Sequence, residues 1–117
     1  MGIENLSKDV VYVTLPAEPE LGGELDKVSK IASEKGGCNV VVDFSDVDII
    51  TSPNLSTLLK LRKQLDGNSG RLICCGVSAM TKGIFTITGL ETVFEFVDNK
   101  SAALGALKAQ GEPVASE

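Results

Sequence analysis

The chain has 117 residues, of which 43% are hydrophobic and 23% are charged, and this composition is that of one ordinary globular domain. Sixteen acidic residues against eleven basic ones give a formal net charge of −5, and the absence of a basic stripe argues against a nucleic-acid partner. The sequence has no histidine, so it cannot form Ser-His-Asp, Cys-His or histidine-bearing zinc sites. We therefore expect a protein that is not an enzyme.

Cysteine usage and hydrophobicity indicate the compartment. The three cysteines include the neighbours Cys74 and Cys75, whose side chains would point to opposite faces of a strand, which works against a bond between them. We expect buried free thiols. No apolar run approaches the ~20 residues of a membrane-spanning helix, and residues 1–9 lack the basic start and hydrophobic segment of a secretory signal. These features predict a cytoplasmic protein without membrane insertion.

The first half of the chain predicts two paired strands, a helix and a central strand. In chain order, the segments are Ile3–Leu6, Val10–Leu15, Leu21–Ala32 and Asn39–Phe44. The polar spacer Ser7–Asp9 suits a hairpin between the first two segments. Apolar residues at three- and four-residue intervals make the third segment a helix that ends at Gly36-Gly37. The fourth segment is rich in valine and should lie centrally in the sheet.

The second half predicts three more helices and two more strands. Ser52 is expected to cap a helix that runs to Gly67, with Pro53 at its first position. The residues expected on one face of this helix are Leu55, Leu58, Leu59, Arg62 and Leu65. The remaining segments are a strand in Gly70–Val77, a helix in Ser78–Thr88 with Met80, Ile84 and Ile87 on one side, a strand in Thr92–Val97 and a helix in Lys100–Ala109.

The order β-β-α-β-α-β-α-β-α predicts the fold class. Strands that alternate with helices form parallel crossovers, so we expect an α/β fold with a mixed, largely parallel sheet, an antiparallel strand at its amino-terminal edge and about four helices. Residues 1–109 are expected to form this single domain, and residues 110–117 a flexible carboxyl-terminal tail. Packing consumes most of the aliphatic residues, so binding should use the surface.

Several acidic residues raise the alternative of metal or phosphate chemistry. Asp43, Asp46 and Asp48 follow the central strand, where carboxylates could hold a hard cation or one aspartate could accept a phosphate as in receiver domains. The partner residues that a receiver needs are only loosely imitated by Glu18/Glu20 and Lys82. Neither glycine-rich phosphate-binding fingerprint occurs. We favour solvated loop carboxylates, and expect no metal and no cofactor.

The most informative stretch is Asp48-Ile49-Ile50-Thr51-Ser52-Pro53-Asn54-Leu55. It places several hydroxyl groups at the amino terminus of a helix that follows the central strand. The positive end of the helix dipole tolerates an added phosphate there, since it offsets part of the ~1.5 to 2 negative charges. This stretch is therefore a candidate for regulation by phosphorylation.

Three blocks of the sequence resemble the STAS domain, in particular the anti-sigma factor antagonists. They are Val40–Leu59 with its strand, loop and amphipathic helix, Gly70–Leu90 with Lys82, Phe85 and Thr88-Gly89-Leu90 in register, and Phe94–Leu107 with Asp98. The similarity runs from about Asp9 to Leu107. It implies a protein that binds an anti-sigma factor, usually a histidine-kinase-like ATPase that phosphorylates serine, and so frees a sigma factor in a partner-switching pathway.

The resemblance also implies the site residues. Partner contacts are expected at Ser52, Asn54, Leu55 and Ser56, together with the Glu18–Leu21 loop and its acidic residues Glu18 and Glu20. In register with Leu55, the serine that is phosphorylated in the family falls on Pro53, which has no hydroxyl group. Either Ser52 or Thr51 has taken over as acceptor, or the protein is not switched by phosphorylation. The second case fits a STAS scaffold module, such as an accessory subunit of a lipid-transport ATPase.

Overall fold

The computed structural model describes residues 2–109, and the predicted tail, residues 110–117, lies outside them. Within this range the elements follow the predicted order. The strands are β1 (Gly2–Ser7), β2 (Val10–Thr14), β3 (Asn39–Asp43), β4 (Leu72–Cys75) and β5 (Glu95–Val97). The helices are α1 (Leu21–Lys35), α2 (Ser52–Asp66), α3 (Ala79–Ile87) and α4 (Lys100–Ala109).

The described strands form one sheet in the order β1-β2-β3-β4-β5. The β1–β2 hairpin is antiparallel, and the other neighbouring pairs are parallel, which confirms the predicted α/β class. Parallel pairs need a crossover, and α1, α2 and α3 supply the crossovers. The carboxyl ends of β2, β3 and β4 therefore meet at one edge of the sheet, where the loops leading into α1, α2 and α3 begin.

The two faces of the sheet carry separate cores. Alternate residues of β3 divide between them: Val40 and Val42 face the larger core with the apolar sides of α1 and α2, whereas Val41 faces the smaller core beneath α4. This alternation follows from the two-residue period of a strand. Phe85 of α3 packs its ring edge-to-face against Phe96 at 5.1 Å and completes the larger core.

The buried face of α2 differs slightly from the expected one. Its buried residues are Leu55, Leu58, Leu61 and Leu65, while Leu59 and Arg62 are half-buried. The predicted face and the observed face both fit the helical period. The charge of Arg62 decides between them, because its guanidinium group reaches solvent and pairs with Asp66 at 2.6 Å. The prediction of an amphipathic helix is confirmed, with its face rotated toward Leu61.

Met80, Ile84 and Ile87 share one side of α3 as predicted, but this is not the side that faces the core. This helix buries Thr81 and Phe85, whereas Met80 and Ile87 are 66% and 88% exposed. Thr81 is buried because its hydroxyl donates to the Asp48 carbonyl at 2.9 Å and receives a hydrogen bond from Ser78 at 3.2 Å. A polar residue with satisfied hydrogen bonds thus takes the inward position that a purely hydrophobic pattern would give to methionine or isoleucine.

The cysteine prediction is confirmed: Cys38, Cys74 and Cys75 are buried and free. Burial raises the pKa of Cys75 to about 11, and the nearby Asp43 carboxylate acts in the same direction. In the described part of the chain, no helix combines the length and the apolar character needed to cross a membrane.

Candidate functional site

Helix α2 begins at Ser52, one residue earlier than predicted. Thr51 is the N-cap and has extended backbone geometry, and its carbonyl accepts the Leu55 amide at 2.9 Å. Ser52 is therefore the first helical residue and not the cap, and Pro53 is the second. The Thr51 side chain makes no capping hydrogen bond within the helix. A carboxylate from another loop instead accepts the amide of the N-cap residue itself, as the N3 glutamate of a capping box does.

That carboxylate belongs to Glu18, in the loop between β2 and α1. Its Oε2 accepts the Thr51 amide at 2.9 Å and the Thr51 hydroxyl at 3.1 Å. The Asn54 Nδ2 donates to Oε1 at 2.7 Å and to Oε2 at 2.9 Å. A carboxylate at a helix amino terminus satisfies an otherwise unpaired amide and is favoured by the helix dipole. We call these three residues the Glu18 clasp.

The clasp favours the ionised form of Glu18. Burial acts to raise the pKa of this carboxyl, but the hydrogen bonds donated by Asn54 and Thr51 outweigh burial, and the net pKa lies below its ordinary value. At neutral pH the start of α2 therefore carries a fixed negative charge that comes from within the chain.

Asn54 also fixes the distance between α1 and α2. A Cβ atom added to Gly22 would lie 2.5 Å from the Asn54 Oδ1. Only glycine permits this approach without a shift of the Asn54 side chain, which is already bound to Glu18. Glu18 of the β2–α1 loop, Gly22 of α1 and Asn54 of α2 thus lie together.

The candidate contact residues differ in accessibility. Ser52 and Ser56 are exposed, and Asn54 is half-buried. Within residues 2–109 the Ser52 hydroxyl has no hydrogen-bond partner. Leu55 is only 7% exposed and belongs to the larger core, so it supports the first turn from below. Glu20 is exposed at the start of α1.

The carboxylates after β3 do not converge on a cation. Asp43 Oδ1 accepts the Ser45 amide at 2.8 Å and its hydroxyl at 2.6 Å, and Oδ2 accepts a short hydrogen bond from Tyr12. Burial raises the pKa of the Asp43 carboxyl, but these hydrogen bonds outweigh burial and lower it overall. Asp46 and Asp48 are exposed, and residues 2–109 contain no group of three or more side chains arranged to hold a metal.

An open groove of about 780 Å³ lies beside the β2–α1 loop. Its lining includes the apolar residues Ile3, Pro16 and Pro19 and the acidic residues Glu20 and Glu24. Pro16, Pro19 and Glu20 belong to the loop that also carries Glu18, so the groove lies next to the clasp.

Sequence reasoning missed the role of Glu18 as a cap and the close approach at Gly22. A weak signal existed for the second: Gly22-Gly23 lies near the start of a predicted helix, where two consecutive glycines weaken the helix without an evident local reason. The exposure of Ile49, five positions after the end of the central segment, was not predicted either.

Comparison with known proteins identifies the family. The STAS domain model matches residues 24–103. The "Putative anti-sigma factor antagonist BtrV" of Bordetella bronchiseptica is 31% identical over 91 residues, which are 78% of this chain and 72% of that protein.

Solved structures of other proteins have the same fold as this chain. An anti-sigma factor antagonist from Mycobacterium paratuberculosis has a TM-score of 0.73 at 19% identity, over 91% of this chain and 91% of that one. The Bacillus cell fate determinant SpoIIAA in its phosphorylated form has a TM-score of 0.68 at 16% identity, over 90% of this chain and 96% of that one. The chain belongs to the STAS domain family, and the relatives it resembles are anti-sigma factor antagonists.

Proposed function

We propose that this protein is an anti-sigma factor antagonist that binds an anti-sigma factor and so frees a sigma factor. Family membership supports the class of function. We assign partner binding to the first turn of α2, because this turn is exposed and is held in place by the Glu18 clasp. The contact residues in this proposal are Ser52, Asn54 and Ser56, with Glu18 and Glu20 beside them. The role is binding, and covalent chemistry is left to the partner.

The proposed switch is phosphorylation of Ser52 by an anti-sigma factor of the histidine-kinase-like ATPase type. The γ-phosphoryl group of ATP would pass to the Ser52 Oγ, ADP would leave, and the hydroxyl proton would be released. Ser52 is favoured over Thr51 because its hydroxyl is exposed and free among the described residues, whereas the Thr51 hydroxyl already donates to Glu18. The relative SpoIIAA has been solved in a phosphorylated form, which supports this kind of regulation.

A phosphate on Ser52 would weaken partner binding for an electrostatic reason. It adds about −1.5 to −2 charges one residue from the amide and hydroxyl that hold the Glu18 carboxylate. The two anions would repel each other, and the phosphate would also have to be desolvated in a complex. A phosphatase would restore binding.

The alternative is a STAS module that binds its partner without a phosphorylation switch, such as a scaffold or an accessory subunit of a lipid-transport ATPase. It is favoured by Pro53 at the position where the resemblance puts the acceptor serine. In this alternative, abundance alone would control the complex.

Co-purification with anti-sigma ATPases of the same genome tests binding, and intact mass after incubation with ATP tests the switch. We expect one of these ATPases to bind the protein and to add one phosphate. Ser52→Ala should abolish the mass gain, whereas Ser56→Ala, which removes an exposed hydroxyl one turn further along α2, should retain it. Failure to bind any such ATPase would contradict the proposal that the protein is an anti-sigma factor antagonist. Binding without a mass gain would select the unswitched alternative.

A further inference from the structure

Three large hydrophobic side chains are exposed in residues 2–109, two of them on α3 and one in the loop before α2. Ile49 in the loop before α2 is 53% exposed, Met80 at the start of α3 is 66% exposed, and Ile87 at its end is 88% exposed. Single exposed hydrophobic residues are common on protein surfaces, whereas a contiguous group of them often marks an interaction site. We call these three residues the α3 patch.

Two observations make the α3 patch continuous. The hydrogen bond from the Thr81 hydroxyl to the Asp48 carbonyl, at 2.9 Å, joins the loop to the first turn of α3. Ile49 directly follows Asp48, and Met80 directly precedes Thr81. The backbone positions of Ile49 and Met80 are therefore close to each other. Met80 and Ile87 are separated by two helical turns and lie on the same face, with the half-buried Ile84 between them.

The core does not need these side chains. Thr81 and Phe85 occupy the inward face of α3. A Cβ atom added to Gly83 would have no other atom within 4 Å, so within the described chain the helix surface at Gly83 is open. A helix of nine residues that leaves its methionine and isoleucine in water gives up part of the stabilisation that their burial would supply. Positions where a sequence departs from the best packing are often functional sites.

The size and place of the α3 patch indicate its occupant. Three side chains of this size offer on the order of a few hundred Å², less than the ~800 Å² that each partner buries in a standard interface. The patch is therefore too small to hold a second copy of the chain by itself. Ile49 lies two residues before Thr51, so the patch adjoins the exposed first turn of α2, and one partner can cover both.

We infer that the α3 patch is the apolar half of the surface that binds the anti-sigma factor; this inference rests on the function proposed above. Asp46 and Asp48 are exposed close to Ile49 in the chain, so the loop side of the patch is acidic. The Lys82 ammonium group lies over the Phe96 ring, 4.6 Å from its centroid. The matching partner surface is an apolar ridge flanked by lysine or arginine. Apolar contacts at the centre and charged contacts at the rim are the usual division of an interface.

The test is Met80→Glu combined with Ile87→Lys. An acidic residue in the first turn and a basic residue in the last turn both suit the helix dipole, so α3 should persist. The net charge is unchanged, so long-range attraction of the partner is unchanged as well. The control is Ala102→Glu with Gly105→Lys, which places the same pair of charges at exposed positions of α4, on the opposite face of the sheet.

Affinity is measured by calorimetry against the purified anti-sigma ATPase that co-purifies with the wild type. We expect the α3 variant to bind at least about tenfold more weakly and the α4 control to bind as the wild type does. Circular dichroism and the thermal midpoint check folding. Should the double variant unfold, Ile87→Gln alone, which leaves the net charge unchanged at a position 88% exposed, carries the test.

Three outcomes would overturn the inference. Wild-type affinity in the folded α3 variant would contradict it and leave the proposed function intact. A dimer of the wild type in sedimentation, abolished by the α3 substitutions, would assign the patch to a second copy of the chain. A wild type that binds no anti-sigma ATPase would remove the proposed function and this inference with it.

Discussion

Glu18 is the residue on which the geometry of the candidate site depends most. Its carboxylate binds the last residue before α2 and a residue in its first turn, from a loop more than thirty positions earlier in the chain. Such a contact satisfies the amide of the N-cap residue, as the glutamate of a capping box does, and it also ties two loops of the site together. The charge of one side chain therefore controls both the start of α2 and the shape of the surface around Ser52.

We expect Glu18→Gln to lower the free energy of unfolding by about 1 kcal/mol at neutral pH, the usual effect of losing a helix cap. The pKa of Glu18 is lowered in the folded state, so the stabilisation is fully present above the ordinary value of 4.5 and is lost as the pH falls through the lowered value. The difference between wild type and variant should thus be constant from pH 7 to about pH 5 and shrink in more acidic solution. Urea unfolding across this range measures it.

Glu20→Gln is the matched control for this prediction. It makes the same change of charge two residues away, at an exposed side chain that makes no capping hydrogen bond. Equal stabilities of the Glu18 and Glu20 variants at every pH would show that the clasp contributes nothing to folding.

The clasp also explains why the predicted cap was one residue late. Ser52-Pro53 is a good local start signal, because serine is a preferred cap and proline is tolerated in the first turn. A preference of this kind is worth about 1 kcal/mol, and a carboxylate from another loop can outweigh it. The sequence around α2 contains no sign of that contact, since contacts between distant residues depend on the fold. The existence of the helix was predictable, and its first residue was not.

At the scale of elements, α2 is held against α1 near both of its own ends. Near the carboxyl end of α2, the Gln64 amide donates to the Ser29 carbonyl at 3.0 Å. Near the amino ends, Asn54 lies against Gly22. The adjacent Gly23 has no atom within 4 Å of the position where its Cβ would stand. Two neighbouring glycines of one helix therefore have opposite environments.

We expect opposite effects of alanine at these two positions. Gly23→Ala should raise the free energy of unfolding by up to about 1 kcal/mol, because alanine favours the helix and meets no obstacle. Gly22→Ala should lower it by roughly 1 kcal/mol or more, because the methyl group pushes Asn54 away from Glu18. Urea unfolding midpoints of the two variants measure both effects under one set of conditions.

A double-mutant cycle tests the explanation. If Gly22→Ala acts by displacing Asn54, it should be less harmful once Glu18→Gln has already weakened the clasp. Additive losses in the double variant would place the cost of the methyl group elsewhere.

Helix α3 shows the limit of hydrophobic periodicity in a short helix. Positions 80, 84 and 87 form as good an apolar stripe as positions 81 and 85 together with their neighbours, so nine residues leave two orientations open. The choice is made by a tertiary hydrogen bond from Thr81 and by the Phe85 ring among other aromatic rings. The strands with alternating or continuous valine runs had no such ambiguity, and the sheet was predictable from them.

At the scale of the whole molecule, the sheet and its two cores enclose all three thiols. Cys74 lies at the centre of β4, and burial raises its pKa well above the ordinary value. Burial likewise raises the pKa of Cys38. Because a thiolate is the reactive form, both exclusion of the reagent and a raised pKa slow modification in the native state.

We therefore expect native protein at pH 8 to react with a disulfide reagent at least about 10³ times more slowly than in 6 M urea, since reaction requires opening of a core that is stable by ~5 kcal/mol or more. Three thiols should react after unfolding. Ser101→Cys, at an exposed position of α4, supplies the control, because its added thiol should react at once while the other three stay protected. Variants that destabilise the fold, such as Gly22→Ala, should react about tenfold faster for every ~1.4 kcal/mol of lost stability if opening is global. Rapid reaction of one native thiol in the wild type would instead mean that β4 or the start of β3 opens locally, and the sheet would then not behave as one cooperative unit.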